Sequence, residues 1–108
     1  MNIEDNLKVI KLIDAYGSLL TPKKLEIMTT YYFDNLSLSE IGDNYGISRQ
    51  AVRDSINQSI KSLQSYEDKL HVILKEECIM EELNGIASKY SISGLQEDID
   101  KIIEELRR

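Results

Sequence analysis

Apolar side chains recur at three- and four-residue intervals along nearly the whole chain, the period of helices buried on one side. Ile3, Leu7, Ile10 and Ile13 make the first stripe, with Glu4, Asp5, Lys8, Lys11 and Asp14 on the other faces, and Gly17 stops it. Thr21-Pro22 is a start signal, because Thr can cap and Pro at the first helical position gives up no hydrogen bond. Leu25, Met28 and Tyr32 follow at helical spacing, so the second helix is predicted from about Pro22 to Phe33, and Asp34-Asn35 is turn chemistry.

Ser37 and Glu40 have the spacing of a capping box, and Ser48 is a further N-cap candidate, followed by Val52, Ile56, Ile60 and Leu63 on one stripe. Between these two short-range signals lies Tyr45-Gly46-Ile47. Beyond Leu63 the stripe passes through Tyr66, Leu70, Ile73, Leu74, Met80 and Leu83, until Asn84-Gly85 or the stretch Ser91 to Gly94 interrupts it. One long helix or two would fit. Ser93 with Gln96 predicts a second capping box, and Leu95, Ile99, Ile102, Ile103 and Leu106 make the last apolar face. With no strand pattern or repeat, the expected architecture is all-α, with five or six helices.

Residues 37 to 63 carry the requirements of a helix-turn-helix. Ile41 and Tyr45 face the second helix, Gly42 permits close approach, Gly46 supplies the positive φ of the turn, and Ile47 and Val52 complete the lock. Ser55 occupies a slot where an apolar residue is usual, and Ile56, four residues after Val52, can replace it. Function in such a unit comes from the start of the second helix. With Ala51, Val52 and Ile56 turned inward, Arg49, Gln50, Arg53 and Asn57 project outward. Arg matches guanine O6/N7, and Gln and Asn match adenine N6/N7. Ser48 and Lys61, with Lys23 or Lys24, are the phosphate candidates. Set against this, the same helix pair can serve as packing or as a protein-docking surface, and Asp43 and Asp54 would repel phosphate if they faced it. Tyr31, Tyr32 and Tyr45 have the character of base-stacking side chains, but core packing accounts for them better.

Charge modifies this picture. The 108 residues have a net charge of −6, which disfavours indiscriminate coating of phosphates, but residues 1–65 carry only −1 and residues 66–108 carry −5. The division predicts a helix-turn-helix domain over 1–65 and an acidic helical tail over 66–108, packed on the same core or on a dimer partner. Seven of its eleven carboxylates, Glu76, Glu77, Glu81, Glu82, Glu97, Asp98 and Asp100, belong on solvated faces. In so small a chain the apolar stripe of the last helix, with Leu70, Ile73 and Leu74, needs either the chain's own core or a second subunit, so a homodimer is an expectation.

The remaining chemistry is sparse. Cys78 and His71 are the only residues of their kinds, too few for an internal disulfide or a Cys/His metal site, and the seven-residue spacing between them is ordinary for a helix. No nucleophile-base pair and no phosphate-cradling Gly-rich loop is present, so neither an enzyme nor a cofactor is expected. The start of the chain shows no signal-peptide pattern and no segment has the ~20 apolar residues of a membrane span, which predicts a cytoplasmic protein without a membrane partner.

The run from Leu20-Thr21-Pro22-Lys23-Lys24 through Leu36-Ser37-Leu38-Ser39-Glu40-Ile41-Gly42 to Tyr45-Gly46-Ile47-Ser48-Arg49-Gln50-Ala51-Val52-Arg53 resembles region 4 of bacterial sigma-70-type factors. With Tyr31-Tyr32 before the motif, Asp54-Ser55-Ile56 after it and Tyr66-Glu67-Asp68-Lys69-Leu70 downstream, the chain is similar to the YlxM family of small, all-helical bacterial cytoplasmic proteins. The resemblance is strongest from Leu20 to Leu70 and weak after Leu83. It implies a regulatory role linked to the signal recognition particle, chiefly through gene neighbourhood with the particle's GTPase and its receptor. The implied partners are therefore DNA or the particle's RNA and, on the competing reading, the GTPase itself or its RNA complex, bound by an accessory factor without DNA binding of its own. The acidic C-terminal part departs from sigma region 4, so promoter recognition within RNA polymerase is not carried over.

Overall fold

The computed structural model describes residues 3–108, with side chains from Glu4 onward, so the first member of the expected stripe, Ile3, lies outside the described side chains. Among the described residues there are six α-helices and no strand: α1 (Ile3–Tyr16), α2 (Pro22–Tyr32), α3 (Leu38–Tyr45), α4 (Arg49–Leu70), α5 (Val72–Lys89) and α6 (Leu95–Leu106), with one 3-10 turn at Gly17–Leu19. The protein is an all-α helical bundle that divides into two compact units, one ending at Leu70 and the other spanning His71–Arg108. The sequence-based division at 65/66 falls inside α4, which continues without interruption to Leu70.

Local signals set most boundaries of the first unit. The Thr21 side chain accepts from the Lys24 N–H and Pro22 occupies the first helical position of α2. At α3 the capping box is complete: Ser37 Oγ accepts from the Glu40 N–H and Glu40 Oε1 from the Ser37 N–H, both at 3.1 Å. Two otherwise unpaired helix-end donors are thereby satisfied. The Asp34-Asn35 turn places Asn35 at φ 57°, a conformation that Asn tolerates.

Helix α4 is the hub, packing against α1, α2 and α3. Val52, Ile56 and Leu63 of α4 are buried, as are Ile27 and Met28 of α2 and Ile41 of α3. Each such side chain gains about 1.5–3 kcal/mol by leaving water. Along α1 the expected stripe is displaced. Leu7 is half-exposed and Ile10 only partly buried, while Val9, Leu12, Ile13 and Tyr16 are the buried residues. Both sets have helical spacing and share Ile13, and the wider set 9-12-13-16 ends on a tyrosine whose hydroxyl finds a buried-side partner, donating to Glu67 Oε1 at 2.6 Å.

In the second unit α5 and α6 pack as an antiparallel hairpin, with Arg107 Nε 3.1 Å from Glu76 Oε1 where the end of α6 meets the start of α5. The α4–α5 break falls at His71 alone, in the left-handed region at φ 55°, and not at Asn84-Gly85, which α5 runs through. No Gly or Pro marks this break. His is one of the non-Gly residues enriched at positive φ, whereas a mid-helix Gly costs only ~1 kcal/mol and can be absorbed. The expected Ser93-Gln96 capping box does not form: Gly94, at φ 81°, is the residue before α6, and no side chain caps that helix.

Candidate nucleic-acid interface

The turn between α3 and α4 is built on two glycines with different jobs. Gly46 adopts φ 67°, ψ 32°, and its N–H closes on the Gly42 carbonyl. The Ile47 N–H also bonds to that carbonyl, at 3.0 Å. Gly42 is buried because the chain folds back over it: a Cβ there would stand 2.6 Å from the Ile47 carbonyl oxygen. Helix α4 can thus begin directly against α3. Its first turn is closed by Ser48 Oγ, which accepts from the Ala51 N–H at 3.0 Å.

This start aims the candidate residues. Val52, Ile56, Ser59 and Leu63 define the buried side of α4, and Ala51 and Ser55 are half-buried at its margins. Ser48, Arg49, Gln50, Arg53, Asn57 and Lys61 are all exposed. At 3.6 residues per turn, Gln50, Asn57 and Lys61 lie nearly opposite the buried stripe, with Arg49 and Arg53 on one flank. Asp54 sits in the middle of the outward face, and its Oδ1 accepts from the Gln50 amide at 2.9 Å. Neither arginine is held in an ion pair among the described residues.

Arg53 and Asn57 also border a recess of about 390 Å³ completed by Tyr31, Leu38 and Ile56. In the sequence Tyr31 reads only as a base-stacking side chain better assigned to the core, and Leu38 only as the first position of the motif; no local pattern brings the end of α2 and the start of α3 to Arg53. Tyr31 stands edge-on to Tyr32, with ring centroids 5.0 Å apart. Both rings are half-buried, and burial, with the neighbouring Tyr31, holds the Tyr32 hydroxyl above its ordinary pKa. Tyr45 is half-buried in the helix-turn-helix lock. Burial first, then its hydrogen bond and proximity to Glu26 of α2, raise its pKa. Lys23 and Lys24 lie in the first turn of α2, Lys23 exposed and Lys24 partly so.

No cluster of ligating side chains suited to a metal ion is present among the described residues, and no helix there is long and apolar enough to cross a membrane. Arginines, amides and a hydroxyl exposed at a helix start are binding groups: they can donate to phosphate and base edges.

Comparison with known proteins agrees with this motif. A family model described as "Putative helix-turn-helix protein, YlxM / p13 like" matches residues 3–104. A UPF0122 protein of Clostridium perfringens (strain ATCC 13124) is 43% identical over 106 residues, covering 95% of this chain and 93% of its own. The UPF0122 protein YlxM of Bacillus subtilis (strain 168) is 38% identical over 108 residues, covering 100% and 98%. A UPF0122 protein of Lactococcus lactis subsp. cremoris (strain MG1363) is 40% identical over 110 residues, covering 97% and 98%. The chain belongs to the UPF0122 family of YlxM/p13-like helix-turn-helix proteins.

Proposed function

We propose that the protein is a regulatory nucleic-acid-binding protein that sets the first turns of α4 in the major groove of duplex DNA. The observation that carries this reading is the exposed set Ser48, Arg49, Gln50, Arg53, Asn57 and Lys61 on one helix start, with both arginines unpaired among the described residues. Arg49 and Arg53 would read guanine, Asn57 adenine, and Ser48 and Lys61 would position the helix on phosphates. Gln50 joins them on leaving Asp54. The positive end of the α4 dipole adds to the attraction.

DNA is favoured over the RNA of the signal recognition particle on geometric grounds. The B-form major groove, ~12 Å wide, admits a helix, whereas the A-form major groove is too narrow for side chains to read. The reading places the protein in the cytoplasm, assigns it no catalytic step, and includes a homodimer, since helix-turn-helix proteins gain by setting two reading helices on neighbouring half-sites.

The test is fluorescence anisotropy against duplex DNA and the particle's RNA across a salt series. Duplex binding should weaken linearly in log-log form with a slope of about −2 to −4, as expected for a few phosphate contacts. Binding to both no better than to an irrelevant acidic protein would remove the proposal. Salt-insensitive retention on the particle's GTPase would instead support the accessory-factor role.

A further inference from the structure

The α5–α6 hairpin buries one stripe from each helix and leaves a second uncovered. Ile73, Glu76, Met80, Leu83 and Ala87 of α5, with Leu95, Ile99 and Ile103 of α6, are the buried or half-buried residues. About a quarter-turn away on α5 lie Val72, Ile79 and Ile86, spaced by two helical turns, and Ile102 and Leu106 are displaced in the same sense on α6. These five side chains are between 39 and 50% exposed. Because the helices run antiparallel, displacement in the same sense brings both stripes to one side of the hairpin, where they form a continuous apolar face.

The borders of that face identify what covers it. On the α5 border the exposed charges run Lys75, Glu82, Lys89, and on the α6 border they are Asp98, Lys101 and Glu105, the opposite sequence of signs. Among the described residues Glu105 pairs with the exposed Arg108 at 3.3 Å, a pairing that is readily exchanged. The Glu76–Arg107 pair sets the register between the helices. Six residues onward along α5 and six residues back along α6 from that pair are Glu82 and Lys101, which therefore lie at one level on opposite borders.

We propose that this face binds a second copy of the chain about a two-fold axis parallel to the helices, so that α5 of one protomer covers α6 of the other in an antiparallel four-helix bundle. In that arrangement Glu82 of each protomer faces Lys101 of its partner, and the lysines at either end of the α5 border reach the carboxylates of the α6 border. The alternative two-fold, α5 on α5, sets Glu82 against Glu82 and lysine against lysine, and is disfavoured by like charges. The assignment takes up the homodimer of the proposed function, and its test contains no nucleic acid, so failure of one is distinguishable from failure of the other.

Sedimentation of the full chain over a range of concentrations should show a monomer–dimer equilibrium. Glu82→Lys and Lys101→Glu should each weaken the dimer about tenfold or more, since each places two like-charged pairs in the interface. An equimolar mixture of these two variants should form a heterodimer of near wild-type affinity, because one of its two pairs is the original Glu82–Lys101 and the other has the same charges exchanged, so that both attract. Ile79→Asp should give a monomer of unchanged helicity by circular dichroism. A wild-type chain monomeric at every concentration overturns the proposal and leaves the face to a different protein, and single variants that dimerise like the wild type, or a mixture that stays monomeric, overturn this pairing.

Discussion

The Gln50 side-chain amide donates to the Asp54 carboxylate at 2.9 Å, one turn further along α4. That bond places a negative charge at the centre of the outward face and engages one of the groups suited to reading adenine. Asp54→Asn keeps an oxygen for Gln50 to donate to and removes the charge. Affinity for duplex DNA should rise by about 1 kcal/mol, roughly fivefold, with binding anisotropy as the measurement. Unchanged or weaker binding would mean that this face does not meet phosphate or base edges.

Arg49 and Arg53 flank that face, exposed and outside any ion pair among the described residues. Replacing both by Ala should cost about 2–4 kcal/mol of DNA affinity if they read bases, and should lower the salt slope by about one for each arginine that instead neutralises a phosphate. The two readouts separate base recognition from positioning. Circular dichroism should be unchanged, because neither side chain contributes to the buried stripe of α4.

The elements legible in the sequence were those fixed by neighbours in the chain. Thr21-Pro22, the Ser37–Glu40 capping box, Ser48 and Gly46 each act within a few residues, and each stands where its spacing indicated. The displaced α1 stripe was not legible, because two helical sets overlap at Ile13 and only packing against α4 and the Tyr16–Glu67 bond distinguishes them. His71 carries no breaker chemistry, and Gly94 took the boundary from Ser93 through its backbone freedom alone. The six candidate residues were readable as an exposed set on α4. That Asp54 engages Gln50 at the edge of this set, and that Tyr31 and Leu38 adjoin Arg53, depends on rotamers and packing beyond the motif.

Glycine substitutions should have opposite effects in the two units. At Gly42 an added Cβ meets the Ile47 carbonyl oxygen at 2.6 Å, a backbone atom that cannot move without opening the turn. Gly42→Ala should therefore cost about 3 kcal/mol, at the upper end for overpacking. Gly85, within α5, has nothing within 4 Å of a Cβ, so Gly85→Ala should stabilise its helix by about 0.5–1 kcal/mol. Urea unfolding followed by circular dichroism measures both.

Ser59 is fully buried on α4, and its hydroxyl oxygen has no hydrogen-bond partner among the described residues. A buried polar atom left unsatisfied costs about 1–3 kcal/mol, so Ser59→Ala, which removes it with little loss of volume, should raise stability by about 1 kcal/mol. Loss of stability in urea unfolding would show that the hydroxyl has a partner in solution.

Tyr45 gives the helix-turn-helix a response to alkaline pH. Its pKa is raised above the ordinary value of 10.0 by burial and then by Glu26, so the folded state holds the phenolic proton more tightly than the unfolded chain does. Well below pH 10.0 both states are protonated and Tyr45 contributes no slope. As pH rises past that value the unfolded chain loses its proton first, binds fewer protons than the folded state, and stability falls until the folded pKa is passed. Tyr45→Phe removes the titrating proton while retaining the ring, so thermal unfolding above pH 10.0 should depend less steeply on pH in the variant than in the wild type. Parallel pH profiles for the two proteins would show that Tyr45 is not held in its neutral form by burial beside Glu26.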